Sequence, residues 1–173
     1  MTRQETTKTL SELTEKYINP HNDPRIYWAR EVTFGYGTCE QIRVDYMHFK
    51  PVNNSVSGIE KGDFFCFEIK SSVEDFHSKN GHNMIGDFNY YVMPAPVFDA
   101  VKDEIPWSVG VLIPEVFVQR RWAPPIFLDD ILMSEAHLTS VKRAHRTNRT
   151  RPLAEMLLMM FRSCARDRKK DKV

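Results

Sequence analysis

The chain has 173 residues, 42% hydrophobic and 12% aromatic, with a net charge of +1, a composition that suits one domain with a real core. No run approaches the ~18 apolar residues of a membrane span, and the polar start MTRQETTKTLSELTEKY has no apolar signal core. Cys39, Cys66 and Cys164 are widely spaced with no CxxC pair, which argues against a disulfide framework or zinc cluster and makes a reducing cytoplasm the expected setting.

Residues 6–18 read as a short helix, since Leu10, Leu13 and Tyr17 recur at helical spacing behind Thr6 or Thr7 as cap. Asn19-Pro20 ends it, residues 21–24 read as a loop, and residues 26–30 as a short helix or turn. Strands are expected over 31–34 and 42–49, with Gly35-Tyr36-Gly37 as the turn between them. Strict alternation puts Ile42, Val44, Tyr46 and His48 on one side of the second strand. Arg43, Asp45, Met47 and Phe49 take the other. Residues 51–62, rich in Asn, Ser and Gly, read as an exposed loop.

The strongest strand is 64–70, Phe-Phe-Cys-Phe-Glu-Ile-Lys, whose near-continuous apolar run is typical of a strand buried on both faces. A helix over 71–80 follows, with Ser71 or Ser72 as cap and Glu74 and Asp75 in its first turn. The pattern breaks over 81–86. A strand at 88–93, a short helix at 96–101 and a strand at 107–113 come next. Residues 127–146 read as helical, after a break at Ala123-Pro124-Pro125. A final helix spans about 153–166, with the stripe Leu153, Met156, Leu157, Met160, Phe161 and Cys164. Strands with interposed helices predict an α/β layer architecture around one sheet. It forms a single domain, core about 25–120, with a basic C-terminal helical extension over about 125–173.

That extension carries the charge asymmetry. Residues 141–173 hold eleven Lys and Arg against three Asp and Glu, a net +8, so the remainder carries −7. A basic tail attracts nucleic acid through phosphate neutralisation, and an acidic body can hold a divalent cation. Lys142, Arg143, Arg146 and Arg149, followed by Arg151, are the best candidates for phosphate contact, with Lys79 beside the site. A solvated helix face, or docking of a partner or second copy on the Met-rich stripe, are the alternatives for this segment.

The chemistry centres on Glu68-Ile69-Lys70. Period two puts Glu68 and Lys70 on one face at the end of an apolar strand, where unpartnered charge is costly. If the preceding strand pairs as a hairpin, Asp45 converges on Glu68. Two carboxylates and a lysine make an expected Mg²⁺ or Mn²⁺ site, in which the ion polarises a phosphate and Lys70 positions water or offsets developing charge. The same triplet at a strand end is more often a surface ion pair. Ser71 and Ser72 read first as caps. Cys66 reads as a core residue. Of Tyr90 and Tyr91, at least one reads as core rather than a stacking platform. His77, His82 and Asn83 match no histidine-metal nuclease spacing.

These residues resemble the PD-(D/E)xK nuclease superfamily, whose pattern of an Asp on one strand and (D/E)-x-K on the next reads here as Val44-Asp45 and Glu68-Ile69-Lys70. The run Phe67-Glu-Ile-Lys-Ser-Ser-Val-Glu-Asp-Phe76 is similar to the MmcB-like branch, a group associated with DNA repair. The resemblance covers about residues 30–115, and Val44 stands where the family pattern has proline. It implies a restriction-endonuclease-like core, with Asp45, Glu68 and the Ile69 carbonyl as metal ligands. Lys70 becomes the catalytic lysine and Glu31 a further acidic member. The implied activity is Mg²⁺- or Mn²⁺-dependent hydrolysis of DNA in repair, recombination or mobile-element processing. A nucleic-acid-binding module without catalysis and an interaction subunit of a repair complex are the competing expectations.

Overall fold

The computed structural model describes residues 2–116 and 136–170. Its chain order is α1 (Arg3–Ile18), β1 (Tyr27–Phe34), β2 (Ile42–Lys50), α2 (Val56–Glu60), β3 (Asp63–Ile69), α3 (Val73–Phe76), β4 (Phe88–Val92), α4 (Ala95–Val101), β5 (Gly110–Val116), β6 (Ala136–Lys142) and α5 (Leu153–Lys170). The six strands form one sheet whose spatial order follows the sequence, β1-β2-β3-β4-β5-β6. The β1–β2 and β2–β3 pairs are antiparallel, β3–β4 and β4–β5 parallel, and β5–β6 antiparallel. The fold is therefore mixed α/β, a central sheet flanked by helices. Among the described residues no helix is long and apolar enough to cross a membrane.

Helices cover both faces because β3 is apolar on both. On one face, Leu10, Leu13 and Ile18 of α1 pack on Tyr46, Phe67, Ile69, Val92 and Leu112. On the other, Met156 and Met160 of α5 pack on Val32, Phe34, Val44, Met47, Phe49, Phe64 and Cys66. Beside α5, the α3–α4 region joins Phe76, Val97 and Val101 to Tyr91, Met93 and Val111. Glu68 shares its face with Cys66 and pairs in register with Tyr91, so it falls where the second layer passes from α5 to α3.

Several expectations are corrected. Thr2, rather than Thr6 or Thr7, caps α1 in a reciprocal box with Glu5. Thr6 and Thr7 instead donate their hydroxyls to carbonyls one turn back. Of residues 26–30, all but Ile26 belong to β1, where bulky Tyr27 and Trp28 suit a pleated, half-buried surface better than a turn. The expected loop at 51–62 contains the short α2, capped by Ser55. The helix at 71–80 stops after Phe76, because the chain turns back over Lys70 through Gly81 at φ +69°. Residues 136–142 are strand rather than helix, since pairing with β5 outweighs local propensity, and 143–150 continue without helix. The helical expectation for 127–135 lies outside the described residues.

A larger correction concerns side-chain alternation in the first hairpin. Val44 packs with Met47 and Phe49 on one face, while Tyr46 packs on the other. In β1, Ala29 shares a face with Val32 and Phe34. Both strands thus change phase together, at Glu31 and Asp45, and the flanking pairs Arg30–Tyr46 and Val32–Val44 place these two opposite each other. Glu31 lies at φ +50°, a left-handed conformation that few side-chain-bearing residues adopt.

Candidate active site

Strand register builds the site. Tyr46 pairs with Phe67, so continuing that register by one step sets Asp45 against Glu68. Glu68 in turn pairs with Tyr91. Glu31, Asp45, Glu68 and Tyr91 therefore form a transverse row across four strands. The hairpin inferred from sequence is present, and it makes Asp45 and Glu68 neighbours.

The two carboxylates differ in surroundings. Asp45 is half-buried where β2 and β3 separate, and it accepts the Ile69 backbone N–H at 2.9 Å through Oδ2. Burial raises its pKa above the ordinary value, against the lowering effects of that hydrogen bond and of Arg43 and Lys70. Glu68 is 1% exposed, and neither of its carboxylate oxygens has a hydrogen-bond partner. Burial, reinforced by the Asp45 charge, pushes it up to about 8. Asn83 is near enough to temper that rise, yet makes no hydrogen bond of ordinary geometry to the carboxylate.

Lys70 is equally buried, at 1% exposure. Its ammonium donates to the Asn80 carbonyl at 2.6 Å and the Asp75 carbonyl at 3.2 Å, and lies 3.5 Å from His82 Nε2. Burial lowers its pKa, opposed by the charges of Asp75, Glu68 and Asp45. Gly81 roofs the pair: a Cβ there would stand 3.1 Å from Lys70 Nζ and 3.3 Å from Glu68 Oε2. Ser72 caps α3 by accepting the Asp75 N–H, and the Asp75 carboxylate accepts from Ser71 and pairs with Arg3.

A cleft of about 730 Å³ opens between α1 and the sheet, lined among others by Glu12, Glu15, Glu31, Asp45, Ile69 and Asp75. It reaches Asp45 but not Glu68 or Lys70. Glu31 sits on its rim, 3.8 Å from Arg43 and 3.8 Å from Arg166, in the surface ion pairing that a strand-edge acid commonly makes. Sequence reading passed over Glu12 and Glu15, because acids on an amphipathic helix look like solvent-facing charge. It placed a break at 81–86 but not the folding of that break over Lys70 and Glu68.

The donor set fits a divalent cation in one respect and is thin in another. A buried carboxylate with two unpartnered oxygens beside a second carboxylate requires a cation or a proton. Among the described residues no three His, Cys, Asp or Glu side chains converge on a possible metal position. A cation at Asp45 and Glu68 would therefore fill its shell with the Ile69 carbonyl and water.

The basic residues are largely engaged within the fold. Lys142 donates to the Ile105 and Pro106 carbonyls, and burial lowers its pKa. Arg146 pairs with Asp63, and Arg149 bonds the Gly62 carbonyl, pairs with buried Asp87 and lies over the Phe64 ring. Arg151 pairs with Glu155. Lys79 and Arg143 are exposed. Cys66 is fully buried, with its thiol pushed well up, which suits a core residue.

Comparison with protein-family models, curated proteins and solved structures returned no significant match.

Proposed function

We propose that the protein is a metal-dependent nuclease of the PD-(D/E)xK type with a restriction-endonuclease-like core, hydrolysing DNA phosphodiester bonds. The observation that carries this reading is the buried Glu68 carboxylate, both oxygens unpartnered, beside Asp45 and two residues before Lys70, which directly follows β3. Asp45, Glu68 and the Ile69 carbonyl are the groups that would hold Mg²⁺ or Mn²⁺. Such an ion, when bound, supplies Lewis-acid polarisation of a phosphate and acidifies water. Asp45 accepts the Ile69 N–H, which fixes its carboxylate at the splayed strand end. Lys70 brings a positive charge to that end, where it stabilises negative charge developing on phosphate oxygens. A phosphodiester backbone would approach Asp45 through the cleft beside it.

The test is cleavage of plasmid, linear, single-stranded and branched DNA with Mg²⁺, Mn²⁺ or chelator. Cleavage should require the ion and disappear in both Asp45→Ala and Glu68→Ala. Activity that persists in those variants would refute this assignment of the centre. A second reading, nucleic-acid binding without hydrolysis, is favoured by the engagement of Lys70 with two backbone carbonyls. Retained binding with no cleavage under any condition would select it.

A further inference from the structure

Glu68 and Lys70 are nearly inaccessible, and the cover over them is a single turn. Residues 77–83 bring the Asn80 carbonyl onto the Lys70 ammonium and Gly81 against the Glu68 carboxylate. Ser78 donates to the Asp75 carbonyl and Asn83 to the Arg43 carbonyl, and His82, itself exposed, makes the most bonds of any side chain in the turn. Its Nε2 faces the Phe76 carbonyl at 2.8 Å and the Ser78 carbonyl at 3.0 Å. Its Nδ1 lies 2.6 Å from the Tyr91 hydroxyl. Two carbonyls can only accept, so Nε2 carries a proton, and Nδ1 and the Tyr91 hydroxyl share a hydrogen bond. The imidazole thus ties the end of α3 to β4, directly above the acidic row, and its ring packs edge-on to Phe76 and Tyr91.

We propose that His82 is a positioning residue, a surface latch that closes the 77–83 turn over Glu68 and Lys70, and that its release uncovers the site. This rests on the nuclease reading for its purpose, though not for its test. The closed turn satisfies Lys70 with main-chain carbonyls and leaves Glu68 without a partner. A cation or phosphate supplies what the closed form lacks, and the closed form excludes both. Opening breaks the part-buried His82 bonds to Phe76 and Tyr91, its bond to Ser78, the Lys70–Asn80 bond and the bond from Asn83 to the Arg43 carbonyl of β2, and it requires no strand pairing to break.

Acylation of lysines by a water-soluble N-hydroxysuccinimide acetate, read residue by residue by mass spectrometry, tests it on the whole chain. Lys142 is the internal control, because its ammonium is likewise held by two carbonyls, at 3.0 and 2.8 Å, away from the turn. In His82→Ala the Lys70 rate should rise about fivefold or more, the factor that one ordinary hydrogen bond provides, with Lys142 unchanged. Tyr91→Phe, which keeps the ring in the core and removes only the hydroxyl, repeats the test if the first variant does not fold. An unchanged Lys70 rate, or Lys70 and Lys142 rising together, overturns the latch. The labelling needs neither cation nor DNA. Its expected outcome in a protein that never cleaves DNA would sink the nuclease reading alone, and cleavage without a labelling change would sink the latch alone.

Discussion

Glu68 sets the pH behaviour of the site. Its ordinary pKa is 4.5 and its folded value about 8, so folding takes up a proton between those limits. For an acid raised in this way, the stabilising contribution is complete below pH 4.5 and is lost as pH rises through about 8. Each unit separates the protonation states by about 1.4 kcal/mol, so the loss across the window amounts to a few kcal/mol. We expect the metal-free protein to be less stable at pH 8.5 than at pH 5.5 by an amount of that order. Glu68→Gln should flatten the dependence and raise stability at the alkaline end. Urea unfolding at the two pH values decides it, and an unchanged pH slope in the variant would assign the dependence to another group. The adjacency of Asp45 and Glu68 was legible in sequence, because a hairpin with a fixed register follows from two apolar strands and a polar loop. The enclosure of Lys70 was not, since it depends on main-chain carbonyls of residues 75 and 80, which sequence patterns do not display.

At the level of elements, α5 is the best-read part of the chain. The spacing of Met156 and Met160 assigned it a core face, and both are buried. Phe161, in the same inferred stripe, is 72% exposed, so the stripe is narrower than its residues suggest. Met156→Ala should cost about 2–5 kcal/mol, since a fully buried side chain leaves a cavity among Val32, Phe34 and Val44. Phe161→Ala should cost far less, within about 0.5 kcal/mol as for an ordinary surface change. Guanidinium denaturation of the two variants makes the comparison, and equal losses would place α5 differently on the sheet. The first hairpin was read less well. Period two is a local rule, and a phase change shared by both strands preserves their hydrogen-bond register while reversing which residues face the core. Residues 136–142 escaped recognition for a related reason: their strand is created by a distant partner, β5.

Across the molecule, the sheet leaves β1 as one edge, and α5 closes it. Ser163 donates to the Arg30 carbonyl, Arg166 donates to the Arg30 and Glu31 carbonyls at 3.0 and 3.1 Å, and Cys164 approaches the Trp28 carbonyl. Exposed edges invite pairing with other chains. Arg166→Ala should therefore cost about 1 kcal/mol, as loss of partly exposed hydrogen bonds does, and should produce concentration-dependent association in sedimentation velocity. A variant that stays monomeric at all concentrations would show the edge to be protected by other means. The same closure bears on synthesis. The six described strands lie in the sheet in the order in which the ribosome delivers them, yet α5, which covers the first edge, emerges only after all of them. A nascent chain stalled before residue 153 carries β1 without α5, and so the interval between translation of the first hairpin and emergence of α5 is when that edge is open to pairing with other chains.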